Sequence, residues 1–153
     1  MVGVKRLKVL FLCSHNSARS QMAEALLRHY AGDHFEAFSA GLEPSQIKPY
    51  TRQVLGELGL SMEGQSAKSL LTYWGGKHHF TYLITVCSKA EEKCPLFPFA
   101  THRLYWPFED PAQFDGSEEE TLERFRQVRD QIAAKIRDWV REIEAAGLLA
   151  ESA

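Results

Sequence analysis

The sequence is short of two features that would each place it in a definite class of protein. It contains three cysteines, few for 153 residues and an odd number, which fits poorly with a framework of static disulfides. No apolar run approaches the roughly 18 residues of a membrane-spanning helix, and the N-terminus lacks the long apolar segment of a secretory signal. The sequence therefore predicts a protein of the cytoplasm, where thiols stay reduced and have other uses.

An excess of charge of one sign is also missing. Eighteen Lys and Arg residues face 20 Asp and Glu residues, for a formal net charge of −2. This balance predicts no attraction to nucleic acid or to a membrane surface. The apolar fraction of 44% and the charged fraction of 25% are those of an ordinary globular protein. We expect one domain over residues 1–153, without repeats or linkers, and a monomer.

Apolar residues are arranged as strands that alternate with helices. The predicted strands are 7–12, 35–41, 81–87 and 102–106, and the main predicted helices are 17–30, 48–60 and 117–146. Such alternation predicts an α/β fold in three layers, with a four-stranded parallel sheet covered by helices on both faces. Working sites in these folds lie at the carboxyl ends of the strands, where the pattern places Cys13 and Cys87.

A polar loop joins the first strand to the first helix in "VLFLCSHNSARSQMAEALL", residues 9–27. Backbone N–H groups that turn inward there would form a nest for a tetrahedral oxyanion, and Arg19 adds a planar fork of donors. The same positive surroundings favour Cys13 as a thiolate, the nucleophilic form, and the Ser20 hydroxyl can donate to its sulfur. The alternative is a buried Cys13 beside a surface Arg19. The predicted oxyanion-binding residues are Ser14, His15, Asn16, Ser17, Ala18, Arg19 and Ser20.

His15 is the one loop residue whose side chain has acid–base chemistry of its own. A general base is one interpretation of His15, but histidine in an anion-binding loop more often contributes only its backbone. We assign its side chain no chemical role.

Two more cysteines, Cys87 and Cys94, stand at the ends of "CSKAEEKC". The spacing is wide for zinc ligands, which usually come as Cys-x2–4-Cys with a second pair nearby. Two buried structural cysteines are the stronger alternative. The residues between them are strongly polar, however, which predicts an exposed loop suited to thiol–disulfide exchange.

The segment "FLCSHNSARSQMAEALL" resembles the loop and first helix of the low-molecular-weight protein tyrosine phosphatase superfamily, and most of all its arsenate reductase branch. The similarity continues through "FSAGLEP", "TVCSKAEEKCP", "WPFEDPA" and "RFRQVRDQI", and so covers nearly the whole chain. The resemblance implies a low-molecular-weight phosphatase-like fold and chemistry that needs no bound cofactor.

For the three cysteines, the resemblance implies a relay. Cys13 would attack arsenate, which competes with phosphate and sulfate for the loop. Cys87 would then attack Cys13 to release arsenite, and Cys94 would take over the disulfide and present it to thioredoxin. This predicts an arsenate reductase.

An acid and a cation site complete what the resemblance implies. Asp110 precedes a proline, as the general acid of the family does, although Glu109 competes for the role and Asp-Pro also forms simple turns. Some relatives hold potassium under the loop with an Asn, a Glu, a Ser and an Asp. Asn16, Glu24 and Ser39 match the first three, but Lys68 stands where the Asp would align. We expect no metal, because the Lys68 ammonium would take the cation's place; the alternative is a solvent-exposed Lys68.

Two other functions stay open at this point. A phosphatase that hydrolyses phosphomonoesters through a phosphocysteine would need only Cys13, Arg19 and Asp110. A binding module without catalysis would need even less. Relatives that act on phosphotyrosine carry a pair of tyrosines near the acid, and this sequence offers only Phe114 there.

Overall fold

A computed structural model describes residues 6–94 and 96–149. Its sheet has four parallel strands, ordered β2-β1-β3-β4 across the sheet. Their bounds are Leu7–Cys13 for β1, Phe35–Gly41 for β2, Phe80–Thr85 for β3 and Ala100–Tyr105 for β4. This confirms the predicted parallel sheet, with different bounds for some of the strands. β4 begins two residues earlier than predicted, and β3 ends at Thr85, two residues before the predicted end at Cys87.

In the part of the chain that the structure describes, four α-helices connect or follow the strands: α1 is Arg19–Ala31, α2 is Pro49–Gly56, α3 is Ser88–Lys93 and α4 is Glu118–Ala145. Pro49 occupies the first turn of α2, where its missing N–H costs nothing. Ser117 and Glu120 form the capping box predicted for α4. Two 3-10 helices, Leu70–Tyr73 and Pro111–Gln113, lie in the connections.

Aromatic side chains fill the space on both faces of the sheet. On one face, Trp139 of α4 contacts Phe35, Tyr82 and Trp106, with ring centroids 5.0 to 5.3 Å apart. On the other face, Phe38 of β2 packs edge-on against Tyr73 at 5.6 Å. The three-layer α/β fold is therefore as predicted. Within the described ranges, no helix is both long and apolar enough to cross a bilayer.

The strand order places β1 and β3 side by side at the centre of the sheet. Because the strands are parallel, their carboxyl ends meet at one edge. The chain after β3 stays bound to β1 through Val86, whose N–H donates to the Leu12 carbonyl at 2.9 Å. The loop after Cys13 and the start of α3 therefore lie together, which defines the site described next.

Candidate active site

The loop after β1 folds around the sulfur of Cys13. The Asn16 N–H donates to Cys13 Sγ at 3.2 Å, and Ser20 Oγ lies 2.9 Å from the same sulfur. Asn16 has a φ of 52°, the left-handed conformation that asparagine tolerates better than most residues. These two contacts fix the position of the sulfur inside the loop. Cys13 itself is buried, with 3% of its surface exposed.

Two side chains of α1 and one backbone N–H fix Asn16, which is fully buried. Its Oδ1 accepts from Gln21 Nε2 and from the Lys68 N–H, both at 2.9 Å, and its Nδ2 donates to Ser20 Oγ at 2.8 Å. All polar atoms of this side chain are thus paired, which offsets the cost of burying them. Asn16 therefore holds the loop in the shape that points its amide at Cys13.

The loop also rests closely on the ends of β2 and α2. A Cβ at Gly41 would lie 2.9 Å from both the Asn16 nitrogen and the Ser14 oxygen, so the approach of the loop to β2 requires glycine there. On the other side, Thr51 Oγ1 donates to the Ser17 carbonyl at 3.0 Å. The sequence "FSAG" alone does not predict the close approach at Gly41, because that approach depends on the loop and the strand meeting in space.

His15 and Ala18 complete the loop without reaching the sulfur by any hydrogen bond of the described residues. His15 Nδ1 lies 3.0 Å from the Glu43 carbonyl oxygen. A carbonyl only accepts, so Nδ1 carries the proton, and the exposed ring is anchored to the chain after β2. Ala18 is buried and its carbonyl accepts from the Met22 N–H as α1 begins.

Arg19 and Asp110 form an ion pair at the mouth of the loop. Arg19 Nη2 lies 3.3 Å from Asp110 Oδ2, and Arg19 Nη1 donates to the Phe108 carbonyl at 3.1 Å. Asp110 Oδ1 accepts from the Ala112 N–H at 2.9 Å, so Asp110 both forms the Asp-Pro turn and is the candidate acid. The competing acid, Glu109, pairs instead with Arg124 at 3.0 Å.

A pocket of about 300 Å³ opens between the loop and α3. It contains a candidate general acid, two cationic side chains and a second thiol. The lining residues that bear on the chemistry are Ser14, His15, Arg19, Cys87, Lys89 and Asp110. Five of the predicted site residues thus line one cavity: Ser14, His15, Arg19, Cys87 and Asp110. Cys13 and Cys94 are not among the described residues that line it.

Cys87 lies at the N-terminal cap of α3, next to the loop. Its Sγ is 3.6 Å from Ser14 Oγ and accepts from the Ala90 N–H at 3.3 Å. Sequence reasoning did not anticipate the contact with Ser14. It places the second thiol against Ser14, the residue that follows Cys13 in the loop.

The segment between Cys87 and Cys94 was predicted as an exposed polar loop, and this was wrong in part. Its polar side chains are largely exposed, but the backbone forms α3 and both flanking cysteines are buried. Burial raises the pKa of the Cys94 thiol. Seven positions along a helix span about 10 Å, whereas a disulfide needs Cα atoms within about 7 Å. A bridge between the two cysteines therefore requires α3 to unwind.

Glu24 lies beneath the loop with two cationic neighbours. Its carboxylate accepts from Ser39 Oγ at 2.6 Å and from Arg28 Nη2 at 2.5 Å, and the Lys68 ammonium lies 3.8 Å away. Burial lowers the pKa of Lys68, and the charge of Glu24 opposes that change. Two positive side chains near one carboxylate fit a bound monovalent cation poorly. Among the described residues, no group of three His, Cys, Asp or Glu side chains can hold a metal ion.

We expect potassium to leave this protein unaffected. Replacing sodium chloride by potassium chloride at constant ionic strength will change the midpoint of thermal unfolding by less than about 2 °C, which corresponds to less than about 1 kcal/mol. Lys68→Asp restores the side chain found in potassium-binding relatives, and this variant will gain a potassium-dependent rise in the midpoint. A clear potassium-dependent rise in the unfolding midpoint of the unchanged protein would contradict the idea that the Lys68 ammonium takes the place of a bound cation.

The sequence matches the family described as low molecular weight phosphotyrosine protein phosphatase over residues 8–148. The chain therefore belongs to that family. A relative from Shouchella clausii, named arsenate reductase, is 37% identical over 129 residues, which are 84% of this chain and 91% of the relative.

Solved structures give the same picture. "An arsenate reductase in the phosphate binding state" superposes with a TM-score of 0.74 and 27% identity, over 90% of this chain and 98% of that one. A thioredoxin-dependent arsenate reductase from Corynebacterium glutamicum has a TM-score of 0.66 and 31% identity; the match covers 92% of this chain and 63% of that longer chain.

Proposed function

We propose that this chain reduces arsenate to arsenite through a relay of Cys13, Cys87 and Cys94. The observation that carries the proposal is the position of Cys87, which lines the same pocket as Arg19 and Asp110 with its sulfur 3.6 Å from the Ser14 hydroxyl. Hydrolysis of a phosphate ester does not need a second thiol there. The similarity to proteins named arsenate reductase supports the same conclusion.

In the first step, the Cys13 thiolate attacks arsenic while arsenate occupies the loop. Backbone amides of the loop and the Arg19 guanidinium bind the remaining oxygens as charge moves onto them. Asp110 lies 3.3 Å from Arg19 and, in its protonated form, gives its proton to the departing oxygen, which leaves as water. The product is an arsenic(V) bonded to the Cys13 sulfur.

In the second step, the Cys87 thiolate attacks the Cys13 sulfur. The S–As bond breaks, its electron pair passes to arsenic, and arsenite leaves as a disulfide forms between Cys13 and Cys87. Arsenic is reduced by two electrons and the two thiols are oxidised by two, so the step balances. The Ala90 N–H at 3.3 Å stabilises the attacking thiolate.

In the third step, Cys94 attacks Cys87 and Cys13 is released as a thiolate. Since α3 spans too far for the new bridge, this exchange is coupled to unwinding of α3. The unwound segment carries the Cys87–Cys94 disulfide to a dithiol reductant of the thioredoxin class, which restores both thiols. The relay keeps the site reusable without a bound cofactor.

Hydrolysis of phosphomonoesters is the second candidate, because Cys13, Arg19 and Asp110 are also the set a phosphatase needs and the family is named for that activity. Phosphotyrosine is disfavoured as a substrate. Phe114, the one aromatic residue in "DPAQFDG", packs under the Arg124 guanidinium, which lies 4.7 Å from its ring centroid. One face of the single aromatic ring near Asp110 is therefore covered by Arg124.

A coupled assay separates the two functions. With arsenate, thioredoxin and thioredoxin reductase, the unchanged protein will oxidise NADPH continuously, and Cys87→Ser and Cys94→Ser will each lose this turnover. Both variants will keep whatever hydrolysis of a chromogenic phosphate ester the unchanged protein has, which controls for folding of the loop. Continued turnover of arsenate by Cys87→Ser would contradict the relay.

A further inference from the structure

Arg103 of β4 reaches across to α3 and contacts its middle. Its Nη2 donates to the Glu91 carbonyl at 3.2 Å and lies 3.5 Å from Glu91 Oε2. The charge of the same guanidinium also lowers the pKa of the Cys94 thiol, three residues further along the chain. One cation on the edge strand thus binds the helix and acts on the third thiol.

Glu91 gives α3 a second contact with the sheet. Its carboxylate accepts a hydrogen bond from Thr85 Oγ1 at the end of β3, and it is the partner of Arg103 on β4. Glu91 is the fourth of the six residues of α3, and the Cys94 N–H closes the helix by donating to the Ala90 carbonyl at 2.8 Å. These contacts hold α3 in the form that keeps Cys94 away from Cys87.

Two charged groups act on the Cys94 thiol, and they have opposite effects. Arg103, from β4, lowers its pKa, while Glu91, from α3, raises it in the same direction as burial. Cys94 and Glu91 therefore compete for one guanidinium. As α3 unwinds, Glu91 moves with the helix, whereas Arg103 stays on a strand paired with β3.

We propose that Arg103 is the positioning residue for Cys94: it holds α3 through Glu91 before the exchange and turns to the Cys94 sulfur as Glu91 moves away with the unwinding helix. This rests on the proposed relay. In the exchange, the Cys94 thiolate forms a bond to the Cys87 sulfur, the Cys13–Cys87 bond breaks, and its electron pair stays on Cys13. The number of disulfides does not change, so no external oxidant or reductant is needed.

A merely structural role and the proposed role make different predictions for two substitutions. If Arg103 and Glu91 only stabilised α3, then Arg103→Ala and Glu91→Gln would both loosen the helix and shift the exchange in the same direction. If Arg103 favours the thiolate, Arg103→Ala removes the favourable charge, while Glu91→Gln removes the competitor. The two variants then change the exchange rate in opposite directions.

The exchange rate is measured in a single turnover. Reduced protein is mixed with one equivalent of arsenate, quenched in acid at set times and alkylated, and the disulfides are mapped by peptide mass spectrometry. At pH 7 we expect Arg103→Ala to form the Cys87–Cys94 bridge about tenfold more slowly, with arsenite release unchanged. Glu91→Gln will form the bridge faster than the unchanged protein. The rate of Arg103→Lys will lie between those of Arg103→Ala and the unchanged protein. The control Arg141→Ala, which removes a remote exposed ion pair, will form the bridge at the rate of the unchanged protein.

A second measurement tests the thiolate directly, without arsenate. In protein carrying Cys13→Ser and Cys87→Ser, the alkylation rate of Cys94 is followed against pH. Arg103→Ala will move the midpoint to higher pH and Glu91→Gln will move it to lower pH. Unchanged midpoints, or shifts of both in one direction, would overturn the role of Arg103. Absence of arsenite from the unchanged protein would instead overturn the proposed function, and the alkylation profile would still decide on Arg103.

Discussion

Cys13→Ser will abolish both arsenate reduction and phosphate-ester hydrolysis, each by more than about a thousandfold. The reason is that both reactions begin with the same sulfur, which the Asn16 N–H and Ser20 Oγ hold at 3.2 and 2.9 Å. A serine hydroxyl at this position is far less ionised than a thiol and is a much poorer nucleophile without a neighbouring base. The coupled NADPH assay and a chromogenic phosphate ester measure the two activities in parallel.

The same variant must be shown to keep its oxyanion site. Asn16 is held by Gln21 and by the Lys68 N–H as well as by Ser20, so the loop of Cys13→Ser is expected to keep its shape. Titration calorimetry with inorganic phosphate will therefore still detect binding. Retention of more than about 1% of either activity would contradict the assignment of Cys13 as the shared nucleophile.

Arg19→Lys will lower arsenate reduction by about 10²- to 10³-fold, although the positive charge is kept. Arg19 presents two nitrogens in fixed directions, one bonded to the Phe108 carbonyl at 3.1 Å and one beside Asp110 at 3.3 Å. A lysine cannot fill both positions, and so Asp110 loses the partner that holds it at the mouth of the loop.

Arg124→Lys is the matched control for that substitution. Arg124 pairs with Glu109, next to Asp110 in the sequence, but it does not line the pocket. Its replacement by lysine is expected to leave the rate within about twofold, because an exposed ion pair of this kind contributes little. Equal losses for Arg19→Lys and Arg124→Lys would contradict a specific role for the geometry of Arg19, because both substitutions keep the positive charge.

Much of the fold and of the loop could be predicted from the sequence, because local patterns determine them. The apolar run of β1 ends at Cys13, and the stripe of α4 with its capping box is visible over eight turns of helix. Asp110 faces Arg19, whereas Glu109 turns to Arg124, and the choice of Asp110 as the general acid stays a prediction.

The helix between Cys87 and Cys94 could not be predicted in this way. "SKAEEK" is six residues long and has one apolar residue, so it carries no helical period, and a helix of this length is marginal alone. Its stability comes from tertiary contacts: Glu91 with Thr85 and Arg103, and Cys87 as its cap. Those partners lie on two other strands and at the end of the helix. The local sequence of the helix does not show that they are close to it.

For the same reason, the role of Arg103 could not be predicted from the sequence. In "THRLYW" it reads as one more polar residue of an edge strand, and its significance appears only when β4 lies beside α3. Gly41 is similar, since its lack of a side chain matters only because Asn16 and Ser14 pass 2.9 Å from the position of a Cβ. Residues that act through approach of distant segments are those that sequence reasoning misses.

The most direct test of the account is the location of the disulfide after a single turnover. Reduced protein is treated with one equivalent of arsenate in the absence of thioredoxin, then alkylated and digested for mass spectrometry. The relay predicts a bridge between Cys87 and Cys94, an alkylated Cys13 and one equivalent of arsenite. Arsenite released without any bridge between Cys87 and Cys94, or protein with all three thiols still free, would contradict it.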